Sequence, residues 1–170
     1  MKIKSIVLTL ASVALLAGCA SSGTHATTEP LAANLSKFQK VNVVLVSKVP
    51  AAESELKAIR DQVEAKLAPH FDVVVLDNNE KASGVLQMKL EITDLKVIGG
   101  AAHFFLGPLA GPDRVAVNGT LTDMGTGNRI GAFTSTGEAR LGGIVVGNTG
   151  TLRASAKLGE EIAELVKSNQ

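Results

Sequence analysis

The chain has no tryptophan and no tyrosine, and its only cysteine is Cys19. Aromatic residues make up 3% of it, all of them phenylalanine. Nucleobase and sugar sites lean on Trp and Tyr platforms, so no nucleic-acid partner is expected. One thiol excludes an intrachain disulfide and a multi-cysteine metal site. Charge of one sign is also missing: 17 Lys and Arg face 16 Asp and Glu, a formal net of +1. That is too little to draw in a polyanion. What the 170 residues do contain is 45% hydrophobic residues and 17 glycines. This suits one folded domain rather than two, or a disordered chain.

The first residues read as an address. Lys2 and Lys4 are followed by an apolar stretch, Ile6 to Leu16, broken only by Thr9 and Ser12. A positive start, a short apolar core and small residues before a cut describe a secretory signal, too short to be a membrane span. The stretch ends in Leu16, Ala17, Gly18 and Cys19. This resembles the lipobox of bacterial lipoproteins. The resemblance implies that residues 1–18 are removed and that Cys19 carries a diacylglycerol and a fatty acyl chain, with no other cofactor. Two or more chains turn marginal membrane binding into stable attachment. Loss of Lys2 and Lys4 turns the net charge from +1 to about −1. Ala20 stands where such lipoproteins carry Asp when kept at an inner membrane, which implies an outer-membrane location, lipid-anchored and facing the periplasm, or the plasma membrane in a single-membrane host.

Residues 19–37 are expected to be the lipidated Cys and a flexible tether, because Ala20 to Pro30 is small and polar with no apolar period. His25 and Glu29 in it have helical metal-ligand spacing, but a tether fixes ligands poorly, and no metal site is expected. A single domain is expected over 38–170. Val41 to Val46 reads as a strand buried on both faces. Leu56, Ile59, Val63 and Leu67 mark one stripe of a helix opened by Pro50 and Glu53 and closed by Pro69. Phe71 to Leu76 reads as a second strand, parallel to the first across a right-handed crossover. Leu86, Met88, Leu90 and Ile92 alternate with polar residues, and the phase breaks at Asp94, where a bulge is expected. Val115, Val117 and Leu121 make a fourth strand, residues 124–128 a hairpin turn, and Ile130 to about Leu141 a fifth. Leu158, Ile162, Leu165 and Val166 lie on one face of a final helix. The fold class is therefore α+β, an α/β sandwich of order β-α-β-β-β-β-α. Its mixed five-stranded sheet has two helices packed on one face.

Two connections are apolar where loops are ordinarily polar. Gly99 to Gly111 has one titratable side chain, His103, and Leu141 to Gly150 has none. Strand order puts both at the same end of the sheet. A shared apolar surface there points to a contact with another copy, another envelope protein or the lipid surface. The alternative is that the loops pack on each other over the core. The candidate contact residues are His103, Phe104, Phe105, Leu106, Ile144, Val145 and Val146.

Catalytic chemistry is harder to find. Gly142 to Thr149 has P-loop spacing except that Asn148 stands where Lys is needed. Cys19 is consumed by lipid, His70 reads as a polar cap after Pro69, and Asp94, Asp113 and Asp123 lie at strand ends where Asp satisfies turn amides. No catalytic residue is assigned, and the protein is not expected to be an enzyme. The competing reading is a small-ligand module or enzyme using a pocket between the two loops, with His103, Arg114, Arg140, Asn148 and Thr149 near it.

The whole pattern of lipobox, β-α-β opening, Gly99 to Gly111, and Leu121-Thr-Asp-Met-Gly-Thr-Gly127 is similar to bacterial lipoproteins grouped as a domain of unknown function, the DUF4410-like set. The resemblance covers about residues 38–168 and implies an envelope lipoprotein with no assigned activity. That set often carries Arg about where His103 stands.

Overall fold

The computed structural model describes residues 21–77, 80–98, 111–140 and 149–170. One mixed sheet is built from six strands: β1 (Ser21–Glu29), β2 (Lys40–Ser47), β3 (Asp72–Val74), β4 (Val85–Lys96), β5 (Asp113–Asp123) and β6 (Arg129–Ala139), in the order β1-β6-β5-β4-β2-β3. Two helices, α1 (Glu53–Leu67) and α2 (Thr149–Lys167), cover one face. The α+β class and both helices stand, but the sheet has one strand more than the alternation of apolar residues predicts.

The extra strand lies in the segment expected to be a tether. Ser21–Glu29 pairs antiparallel with β6, from Ser21 opposite Ala139 to Glu29 opposite Ala132. The stretch after it is also fastened. Asn34 caps a one-turn 3-10 helix, Leu35–Lys37, by accepting from the Ser36 amide at 2.7 Å. Its Nδ2 donates to the Gln170 carbonyl at 2.9 Å, and the Leu35 amide donates to the Asn169 carbonyl at 2.9 Å.

The crossover forms as expected: β2 is parallel to β3 and to β4. Glu53 and Glu55 complement the positive end of α1, and the Glu55 carboxylate accepts from the Ala52 amide at 2.8 Å. Strand β3 is shorter than the apolar run, three residues. Val75 beyond it is 89% exposed, and the Asn42 side chain takes over by bonding the Leu76 backbone. Strand β2 is buried on its helix side at Val41 and Val43, whereas Val46 on the other side is exposed, because no layer covers that face. The expected bulge lies between Ile92 and Asp94.

The core sits between sheet and helices. Leu86, Met88, Leu90 and Ile92 of β4, Val115, Val117 and Leu121 of β5, and Phe133 of β6 meet Ile59 and Val63 of α1 and Leu158 and Ile162 of α2. The Phe133 ring fills the space that a side chain at Gly119 would occupy on the neighbouring strand. Backbone of α2 at Ala154 and Leu158 comes so close to Gly137 that a Cβ there has no room. The helices run in the same direction, since Lys66 meets Glu160 and, further on, His70 meets Gln170.

Candidate functional site

Pairing fixes what lies at each end of the sheet. At the upper end β1 starts, β2 and β4 finish, β5 starts and β6 finishes: Ser21 and Asp113 both pair with Ala139, Ser47 with Ile92 and Lys96 with Arg114. Helix α1 begins just after β2 at that end, and α2, running alongside it, begins there too. The 99–110 connection leaves after Ile98 and re-enters at Gly111. The 141–148 connection leaves after Arg140 and re-enters at Thr149. Their shared end, expected from strand order, is what the register gives. The candidate contact residues His103, Phe104, Phe105, Leu106, Ile144, Val145 and Val146 lie outside the described residues, as do Leu16, Ala17, Gly18 and Cys19.

The described rim of this end is well ordered by hydrogen bonds. Asp113 is buried, and its Oδ1 accepts from the Ile98 amide at 2.6 Å, closing the mouth of the β4–β5 connection. Arg114 faces the helix-free side, where its Nε donates to Glu138 Oε1 at 2.7 Å and its Nη1 lies 3.8 Å from Asp94. It is therefore engaged by two carboxylates on the open face. Arg140 is exposed at the strand end.

The open face of the sheet carries cross-strand rows of polar residues. Lys89 lies opposite Thr120, and Thr120 opposite Ala132. Glu91 lies opposite Asn118, Asn118 opposite Thr134, and Thr134 opposite Ala26. A shallow depression of about 350 Å³ lies over these rows. Of its charges, Glu91 is paired with Lys48 at 3.3 Å and Arg129 with Glu29 at 2.8 Å, while Lys89 makes no ion pair among the described residues.

At the lower end Asp123 does what the sequence suggests. Its Oδ1 accepts from the Gly125 amide at 2.9 Å and the Thr126 amide at 3.3 Å, and its Oδ2 is 3.4 Å from Lys37 Nζ. Burial pushes its acidity down, but those amides and Lys37 outweigh burial and hold its pKa below the ordinary value. A depression of about 570 Å³ opens beside it, lined by Lys37, Lys81 and Gly84.

One arrangement went unseen in the sequence. His25 of β1 lies opposite Ser135 of β6, and its Nδ1 is 2.9 Å from Glu161 of α2. An acid, a histidine and a serine thus stand in line. The serine is only 2% exposed, however, and its hydroxyl donates to the Thr24 carbonyl at 3.3 Å. A nucleophile so placed has neither its base nor a path to substrate. Glu161 is pushed toward protonation by burial, yet His25 and Lys157 prevail and its pKa lies below the ordinary glutamate value. The trio joins β1 to α2. His25 and Glu29, which have metal-ligand spacing, bond to Glu161 and Arg129 respectively. Among the described residues no three His, Cys, Asp or Glu side chains are grouped to hold a metal. No helix among them is long and apolar enough to cross a membrane.

No family model matches the chain and no curated protein matches it, so the DUF4410-like resemblance has no family model behind it. Several solved structures are similar in fold. The PelC dodecamer from Paraburkholderia phytofirmans is 16% identical over 85% of this chain and 98% of that one, with a TM-score of 0.48. A minor lipoprotein from Acinetobacter baumannii is 15% identical over 78% of this chain and 94% of that one, with a TM-score of 0.42. A DUF330 protein from Xanthomonas campestris is 10% identical over 84% of this chain and 87% of that one, with a TM-score of 0.46.

Proposed function

We propose that the chain is a lipid-anchored bacterial envelope protein whose one domain is a non-catalytic interaction module. Cys19 carries the lipid, and the domain belongs to the outer membrane on its periplasmic side. The module makes its contact at the upper end of the sheet, through the apolar connections 99–111 and 141–150. What supports this reading is the strand register. It gathers the attachment points of both apolar connections and the residue two places after Cys19 at one end. The polar groups elsewhere are spread in flat rows or engaged in pairs, which suits binding better than bond-making.

The test has two parts. Cys19→Ser should move the protein out of the membrane fraction. Phe104→Ser together with Phe105→Ser should abolish the contact, read as loss of a crosslinked partner, of an oligomer by light scattering or of contact with the lipid surface, while the circular dichroism spectrum stays that of a folded domain. Unfolding of the double variant would make the 99–111 connection part of the core and end the proposal.

A further inference from the structure

We infer that the upper end of the sheet rests on the lipid leaflet itself, so that the six strands stand upright on the membrane. This rests on the proposed lipidation of Cys19 and names the surface that the module meets. The first argument is chain length. Strand β1 is paired from Ser21 onward. Two residues span at most about 7 Å, so a lipid on Cys19 enters the bilayer beside Ser21 rather than at the end of a long tether. The paired end of β1 is the upper end, and the upper end is therefore held at the headgroups.

The second argument is the chemistry of the described rim. Four large apolar side chains are left exposed among the described residues. Val97, 37% exposed, and Leu152, 42% exposed, lie at the upper end, and Val46 stands one residue short of it. Around them Lys96, Arg140 and Arg153 are exposed and make no ion pair among the described residues. The carboxylates nearby are mostly engaged: Asp94 and Glu138 by Arg114, Asp113 by the Ile98 amide, Glu55 by the Ala52 amide. Glu53 alone stays open. Exposed apolar side chains and unpaired cations gathered at one end match a leaflet, where apolar groups sink about 5–10 Å and cations meet phosphates. The parallel helices add the positive ends of their dipoles on the same side.

The lower end is an internal control, because the length of β5 places it about 35 Å away. The chain has one cysteine, so a thiol introduced elsewhere is the sole labelling site once Cys19 is acylated. We would purify the lipidated full chain with Leu152→Cys or Thr126→Cys, attach an environment-sensitive fluorophore, and bind it to vesicles of phosphatidylethanolamine and phosphatidylglycerol with brominated acyl chains. The expected result is several-fold stronger quenching at position 152 than at position 126, reduced by adding Arg140→Glu and Arg153→Glu while the melting temperature holds. Equal quenching at both ends, in protein whose mass shows acylated Cys19 and which floats with the vesicles, overturns the inference and leaves the lipoprotein reading standing. Unmodified Cys19 and no flotation would sink that reading instead. An unquenched Leu152 in particles several chains in mass would mean that other copies cover this end, which also overturns the inference.

Discussion

Strands β6 and β1 are neighbours beneath the same helix, and each turns a glycine toward it. The two are held in opposite ways. At Gly137 of β6 the obstacle to a side chain is α2 backbone, at Ala154 and Leu158. At Gly23 of β1 it is the Glu161 side chain. Backbone of a packed helix cannot yield without undocking, whereas a glutamate can swing aside. Strand β6 is therefore locked by shape. Strand β1 is held by its ladder to β6, the His25–Glu161 contact, the Ser135–Thr24 bond and the Arg129–Glu29 pair at its far end. Burial does not hold it, for all but one of its nine residues are exposed. One sheet thus contains an integral strand and a detachable one side by side.

The largest effect should come from the core that β6 supports. Phe133→Ala should lower stability by about 3–5 kcal/mol, read by denaturant unfolding, since the ring lies buried over Gly119. Gly137→Ala should cost about 3 kcal/mol, near the upper end of overpacking penalties, and Gly23→Ala no more than about 1 kcal/mol. Equal losses at the two glycines would erase the distinction between the strands.

Acid should separate them further. Burial alone would raise the pKa of Glu161, but His25 and Lys157 lower it on balance, and Lys66 first of all lowers that of Glu160. A carboxylate with a depressed folded pKa contributes stability above its unfolded value and loses it as pH falls through the folded one. Both contacts are therefore intact at neutral pH and fail on acidification below about 4.5, the ordinary glutamate value. Hydrogen exchange measured down that range should show β1 amides losing protection before those of β5. Simultaneous loss would mean that β1 is as integral as its neighbour.

Asp123→Ala removes the cap on two turn amides and should cost about 1 kcal/mol, seen as a melting point a few degrees lower. The smallest change is Arg129→Ala. Its pair with Glu29 is half exposed on both sides, and the loss should stay within about 0.5 kcal/mol. A larger fall would show that this pair fastens β1 more firmly than its exposure suggests.

The same contrast explains what was legible beforehand. The helices and the strands of the core announce themselves because burial on one face imposes a period, and even the bulge at Asp94 shows as a break in it. Strand β1 buries nothing, so Ser-Ser-Gly-Thr-His-Ala-Thr-Thr-Glu carries no period and reads as tether. Its partner is the open backbone edge of β6, which no side-chain pattern reveals. Residue types in β1 did hold a hint, since threonine recurs there and favours strands. Strand β3 fails the other way: an apolar run promises six residues and three pair, because the Asn42 side chain replaces the ladder beyond Val74. At the candidate site, strand order was enough to bring both apolar connections to one end. That Arg114 would be drawn to the open face by Glu138 and Asp94 was not, because it depends on cross-strand register.

Strand β1 has one more consequence, in time rather than in space. Its residues are the first of the described chain to be synthesised, and their partners among the last: Thr24 waits for Thr136. Contacts so distant in sequence close late. Until β6 exists, the segment after Cys19 has no ladder to join and hangs free of the growing domain. Under the proposed lipidation of Cys19, the enzymes that cut and acylate there would meet this segment before it is paired. The delay built into the topology leaves the first strand open until β6 is made, and completion of the sheet closes it.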